Sequence, residues 1–502
     1  MEDLDTMINR LRIDPETIFG AYDRSKLKRQ AVVGGSFSIF SQISLFIINI
    51  IRTILLARVL IPLDFGLFAM VSVISSFAII FRDAGLTTAI IQVDCINSNE
   101  ASTMFTFNIL INLLLSIAIF ISSPFVASFY GHPILLNVTR IMSISFFLSG
   151  LSAQHIALLT RSMRFDLIAL NSITTQIVSL LVAYFFAIHN FGIFSLVFGS
   201  ITSAVISIFI IIMILPWIPN IKFEFSKISG LIKYGRDVLL FNVVNYFSRN
   251  SDNILIGKFI GAIQLGFYNK AYSLFMLPIL QIRIPVNSIA LPLLSKLKKD
   301  NKKYKDSFYL IVEILAFLSI PISIYLYLKS EFIILLMLGE NWIDSVEVFR
   351  ILSIFGLLQV TAAIKGTVLL SFGYSKKYLH LGVFSSIVTI LSFLLGIRFG
   401  ITGVAYAYVI AQYAILFPSL IYSFNNTPIQ LKAYLQAILP FLFIGLVLGI
   451  ISHVYFRINQ PNNEIIPNLI FTILFFSAYL LLTFFNKKFW HKMLSFKNII
   501  LQ

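Results

Sequence analysis

The chain has a single cysteine, Cys95, in 502 residues. That scarcity excludes an intramolecular disulfide and any metal site built from several thiolates. Charge is also scarce: Asp, Glu, Lys and Arg together make up 12% of the chain, against roughly 25% in soluble domains. Acids are the rarer sign, 22 against 38 Lys and Arg, for a net charge of +16. No G-x-x-x-x-G-K-S/T loop is present, which excludes P-loop nucleotide hydrolysis, and no H-E-x-x-H pair offers a zinc site. No apolar stretch lies near Met1, so a cleavable signal peptide is not expected. No soluble stretch is long enough to house an active site, and neither cofactor, metal nor catalytic chemistry is expected.

What the chain has is long apolar sequence. Hydrophobic residues are 58% of it, with 50 Phe. Leu167 to Ile221, Ala433 to Phe456 and Ile465 to Asn486 carry no Asp, Glu, Lys or Arg at all. A helix crosses the hydrocarbon core with about 20 apolar residues, and in lipid the backbone must satisfy its own hydrogen bonds. The chain therefore reads as an all-α integral membrane protein. Fourteen spans are expected, at 36–58, 65–91, 103–122, 132–158, 167–188, 192–215, 235–260, 265–294, 306–328, 343–370, 377–397, 401–424, 433–456 and 465–486. Turn chemistry marks the breaks, as at Tyr130-Gly131-His132-Pro133 and Asn425-Asn426-Thr427-Pro428.

The excess of basic residues is a matter of orientation, not of nucleic acid. With the N-terminus inside, the cytosolic connections collect Arg24, Lys26, Lys28 and Arg29, then Arg161 and Arg164, Lys222, Lys227 and Lys233. The densest cluster, Lys296 to Lys305, follows the eighth span. The opposite side has about one cation per connection: Arg58, Lys258, Lys329, Arg398 and Arg457. By the positive-inside rule both termini are cytosolic. Residues 1–30 form a polar arm, in which Asp14-Pro15-Glu16 is a helix-start pattern.

The chain also resembles itself. At an offset of 200, Leu55-Leu56-Ala57-Arg58 falls on Leu255-Ile256-Gly257-Lys258, and Phe65-Gly66-Leu67-Phe68 on Leu265-Gly266-Phe267-Tyr268. At 210, Arg140-Ile141-Met142-Ser143-Ile144 falls on Arg350-Ile351-Leu352-Ser353-Ile354; at 208, Phe191-Gly192-Ile193 falls on Phe399-Gly400-Ile401. The expected organisation is an arm (1–30), an N-lobe of six spans (31–221), a C-lobe of six (222–431), two further spans (432–486) and a cytosolic tail (487–502). A unit of an even number of spans gives parallel, pseudo-symmetric lobes, an architecture with which transporters build a central site.

Charges inside the spans mark candidate sites, because each costs at least about 2.5–3.5 kcal/mol at the bilayer centre. Arginines predominate: Arg52, Arg82, Arg140, Arg249, Arg283 and Arg350 are the candidate substrate-binding residues, since guanidinium grips phosphate or carboxylate bidentately. Lys365 is a further cation in the tenth span; it and Arg52 have a competing reading as side chains that snorkel to the headgroups. Asp83, Asp252 and Glu313 are candidates for ion coupling or gating. Arg52 maps onto Asp252 and Asp83 onto Arg283 in the repeat, which suggests pairing across a cleft; a local Arg249–Asp252 pair is the competing reading. Pro278, Pro285 and Pro292 share a face of the eighth span and can bend it.

The segment Ile54 to Met70, with Leu60-Ile61-Pro62-Leu63-Asp64-Phe65-Gly66-Leu67-Phe68 at its centre, is followed by Phe81-Arg82-Asp83-Ala84-Gly85-Leu86 and Ala89-Ile90-Ile91-Gln92. It resembles the polysaccharide transporter family, the Wzx-type (colanic-acid-like) oligosaccharide flippases of the multidrug/oligosaccharidyl-lipid/polysaccharide flippase superfamily. The resemblance implies two six-helix lobes plus two C-terminal helices. It implies translocation of an undecaprenyl-diphosphate-linked oligosaccharide across a bacterial inner membrane by alternating access, for lipopolysaccharide or exopolysaccharide synthesis. Implied partners are that lipid-linked glycan, membrane lipids, and a polysaccharide polymerase with other export machinery. A cation-driven exporter of the same superfamily would prefer an acidic cavity. A membrane-embedded polymerase would need a large outer loop with carboxylates. A passive scramblase is the third alternative.

Overall fold

The computed structural model describes residues 12–13, 19–21, 27–83, 90, 95–220, 242–243, 246–247, 249–459 and 465–500. The helix start at Asp14-Pro15-Glu16 and the first part of the seventh expected span lie outside the described residues. Twelve helical stretches among the described residues are long and apolar enough to cross a membrane. One of them, Ser375–Phe424, is two helices joined by a 3-10 turn at Ile397–Phe399. Large apolar side chains such as Leu395, Ile473 and Phe485 face outward, a surface suited to lipid and costly in water.

The chain divides into two compact units, Met1–Gly266 and Phe267–Gln502. The first contains α1 (Leu27–Val59), α2 (Pro62–Asp83), α3 (Ser98–Tyr130), α4 (Ile134–Arg161), α5 (Phe165–Ile188), α6 (Ile193–Ile214) and α7, described over 249–259. Local chemistry sets the ends of α3. The Asn97 side chain accepts from Glu100 N–H while Glu100 accepts from Asn97 N–H, a capping box. Gly131 closes the helix at φ 74°, donating its N–H to Ala127 O.

The N-terminal arm is tied to this unit. Gly20–Ala21 pairs antiparallel with Cys95–Ile96, and Ile13 N–H donates to Ile214 O at 2.8 Å. Ile13 joins a buried cluster with Ile90, Ile96, Leu158, Ile214 and Trp217.

Two short backbone segments of this unit touch each other reciprocally. A Cβ added at Gly66, one turn into α2, would lie 1.7 Å from Ala262 O. A Cβ at Gly266 would lie 2.0 Å from Pro62 O. Helices approach this closely only where small residues line the contact.

The second unit continues the helix that begins in the first, α8 (Ala262–Leu297), which stays one element through Pro278, Pro285 and Pro292. It adds α9 (Asn301–Leu328), α10 (Ser330–Met337), α11 (Ser345–Ala362), α12 (Ile364–Ser371), α13 (Ser375–Gly396), α14 (Gly400–Phe424), α15 (Leu431–Asn459), α16 (Ile465–Phe484) and α17 (Lys487–Ile500). Asp300 caps α9 by accepting from the backbone N–H groups of Lys303 and Lys302, bonds that hold its carboxyl below the usual range. Lys329, between α9 and α10, ties the last spans down. Its Nζ donates to Asn468 Oδ1 at 2.6 Å and sits 3.5 Å from the centre of the Phe456 ring. Burial pushes this ammonium down to about 8, while the aromatic face favours its charged form.

The tail, expected only as cytosolic sequence, is largely the helix α17. It buries Phe489 against Phe317 of α9 and Phe441 of α15. Asn486 starts it, its Oδ1 accepting from Phe489 N–H at 3.2 Å. The signal in the sequence was the Phe489-Trp490 pair followed one turn later by Met493-Leu494, an apolar stripe at helical spacing.

Candidate polar sites within the two units

In the first unit the polar side chains concentrate on the seam between α3 and α4. Ser116 Oγ donates to Ser143 O at 2.8 Å, and Asn112 Nδ2 donates to Asn108 O at 2.8 Å and to Asn108 Oδ1. The seam has room for Asn112 because Gly150 stands opposite: a Cβ there would meet the amide at 2.4 Å. Thr139 Oγ1, Asn112 Oδ1 and both amide atoms of Gln154 are buried without a hydrogen-bond partner. Such groups are costly in a dry interior, and here they leave a row of open polar positions along the helix pair.

Two candidate arginines border this seam. Arg82, in the last turn of α2, is half-buried and donates Nη1 to Ser149 Oγ at 3.2 Å. Arg140, in the second turn of α4, donates Nε to Ser123 Oγ at 3.2 Å and lies 5.1 Å over the Phe120 ring. Arg52 is half-buried on α1. Arg249 is exposed. Asp252 is 5% exposed and accepts from Asn253 N–H at 2.8 Å. The side chain of Asp83 lies outside the described residues.

In the second unit Arg283 is half-buried on α8. Arg350, in the second turn of α11, donates Nε to Ser330 Oγ at 3.0 Å and Nη1 to Glu347 Oε2 at 2.9 Å. Arg140 and Arg350, which match at an offset of 210 in the sequence, each offer Nε to a serine of an earlier helix. The Arg350 charge is met locally by Glu347. Glu313 of α9, 12% exposed, pairs with Lys492 of α17 at 2.7 Å, while its second oxygen is buried without a partner. No stretch of sequence near Glu313 announces that contact, because its partner is 179 residues away.

The same unit holds a cavity of about 200 Å3 that the candidate arginines do not touch. Phe355, Gln359, Lys365, Tyr408 and Gln412 are among its lining residues, from α11, α12 and α14. Lys365 had been visible as a charge inside a span; what it faces was not.

Comparison with known proteins places these features in context. The family described as "Polysaccharide biosynthesis protein" matches residues 55–347. The teichuronic acid biosynthesis protein TuaB of Bacillus subtilis is 28% identical over 85% of this chain and 89% of its own length. The lipopolysaccharide biosynthesis protein WzxC of Escherichia coli is 22% identical over the same shares. Among solved structures, the lipid II flippase MurJ in an inward closed conformation superposes with a TM-score of 0.71. The match is 17% identical and covers 91% of this chain and 99% of that one. This likeness establishes a common fold.

Proposed function

Because this chain belongs to the polysaccharide biosynthesis protein family, matched over more than half of its length, we propose that it is a flippase that moves a lipid-linked oligosaccharide across a bacterial inner membrane for surface-polysaccharide synthesis. The family match carries this reading, and the near full-length relatives named for teichuronic acid and lipopolysaccharide synthesis support it. The carrier is undecaprenyl diphosphate, and the mechanism is alternating access with no covalent step. A transporter is consistent with these relatives.

The finer architecture is fourteen spans. Twelve stretches among the described residues, with Ser375–Phe424 made of two helices and a further helix at 249–259, support that reading. Two pseudo-symmetric lobes, 31–221 and 222–431, are followed by two spans to residue 486. The reciprocal contact supports the repeat: Pro62 and Gly66 meet Ala262 and Gly266, their counterparts at an offset of 200. In a pseudo-two-fold contact each element meets the equivalent of its own partner.

Arg52, Arg82, Arg140, Arg249, Arg283 and Arg350 supply positive charge for the diphosphate and acidic sugars. Arg350 is the weakest member, since Glu347 already meets its charge. Asp83, Asp252 and Glu313 are assigned to ion coupling or gating, and the uncommitted Glu313 oxygen is open to a proton or a sodium ion. Polymerase and export machinery are the expected protein partners.

Reconstitution tests the function. In proteoliposomes carrying a fluorescent undecaprenyl-diphosphate oligosaccharide, the protein should move label out of reach of an impermeant quencher, faster under a proton or sodium gradient. Rates equal to those of protein-free vesicles would refute the reading. Orientation is tested separately. A cysteine replacing Ser307, in a Cys95→Ser background, should stay unlabelled by an impermeant maleimide in intact cells. Labelling without permeabilisation would place the Lys296–Lys305 region outside and invert the topology.

A further inference from the structure

The cavity in the second unit combines three demands that few ligands meet together. Its cation is Lys365. The ammonium donates to Ser419 Oγ at 2.7 Å, and no carboxylate of the described residues pairs with it. A half-buried ammonium with a single neutral partner is poorly compensated, so the site favours an anionic group. Its acceptors are amide carbonyls. Gln359 Oε1 is buried without a hydrogen-bond partner, and Gln412 spends Nε2 on Thr389 Oγ1 at 2.9 Å, which turns that amide's free acceptor to other uses. Its walls are aromatic. Tyr408 is held edge-on to Phe355 at 5.0 Å and stacked on Phe393 at 5.4 Å, and the Tyr413 hydroxyl is committed to Ile354 O at 2.7 Å.

These features sort ligand classes. An inorganic phosphate or chloride would satisfy Lys365 but has no apolar face for the rings, and chloride has no donor for the carbonyls. A cationic drug would be repelled by the ammonium. A neutral sugar would suit the carbonyls and rings but leave the ammonium unmet. A uronic acid carries all three complements: a carboxylate, hydroxyl donors and a C–H face. The cavity of about 200 Å3 has room for a sugar ring.

We infer that the Lys365 cavity is a subsite for one uronic-acid residue of the transported glycan, with Lys365 on the carboxylate, Gln359 and Gln412 on hydroxyls, and Tyr408 against the ring. This rests on the flippase reading and names the glycan class: an acidic polysaccharide whose acidity is a sugar carboxylate.

The test uses the full-length protein in lipid nanodiscs and two probes: an undecaprenyl-diphosphate disaccharide of glucose and glucuronic acid, and its carboxyl-reduced counterpart ending in glucose. The wild-type protein should bind the acidic probe about tenfold more tightly. Lys365→Gln should bring that ratio to about one with binding of the neutral probe unchanged, and Lys365→Arg should keep most of it. The first comparison needs no substitution, so it stands even if a variant does not fold. Equal binding of both probes by the wild-type protein overturns the subsite and leaves the flippase reading intact. Binding of neither probe overturns the flippase reading itself. A preference retained in folded Lys365→Gln places carboxylate recognition elsewhere and also overturns the subsite.

Discussion

Gly66→Ala and Gly266→Ala should each strongly destabilise the protein and abolish export. The added Cβ would stand 1.7 Å from Ala262 O in one case and 2.0 Å from Pro62 O in the other. No carbon approaches a carbonyl oxygen that closely, and the obstacle is backbone, which cannot rotate away as a side chain can. Overpacking of an interior typically costs about 1–3 kcal/mol, and these positions fall at or above the top of that range. Gly35→Ala is the matched control: it lies in α1 with nothing within 4 Å of the added atom, and alanine in a helix is favoured by up to about 1 kcal/mol over glycine. Thermal unfolding of the purified variants measures the effect. Because the contact is reciprocal, Gly66→Ala with Gly266→Ala should cost less than the sum of the two single changes. Wild-type melting temperatures in both single variants would remove the contact from any account of this fold.

The second large effect is expected at Arg82. Arg82→Ala should reduce export of the glycan at least tenfold at unchanged protein abundance, and Arg82→Lys should recover part of it, since an ammonium keeps the charge but loses the bidentate fork. The competing account is that Arg82 only ties α2 to α4 through Ser149. A hydrogen bond of that kind contributes about 0.5–1.5 kcal/mol, and Ser149→Ala removes it without touching the cation. If Ser149→Ala loses export as fully as Arg82→Ala does, the arginine acts as a tie and not as a charge for the substrate. If Ser149→Ala exports normally while Arg82→Ala does not, the charge itself is required.

The sequence by itself determined that this is a membrane protein, the positions of most spans and the family. Those properties are written in quantities local to the chain. Span length is set by the thickness of the bilayer, and the breaks need glycine, proline and asparagine where the backbone turns. Some residues that match within the sequence also share a setting: a Cβ at Gly66 or at Gly266, matched at an offset of 200, would meet backbone, and Arg140 and Arg350, matched at 210, each offer Nε to a serine. What only the tertiary structure decided is which polar groups meet. Lys492 reaches Glu313 and Lys329 reaches Asn468 across 179 and 139 residues, and the lining of the Lys365 cavity comes from three helices. In a chain this apolar, each charge has few possible partners along its own helix. Its partner is chosen by which face the neighbouring helices present, and packing settles that where periodicity of the sequence does not.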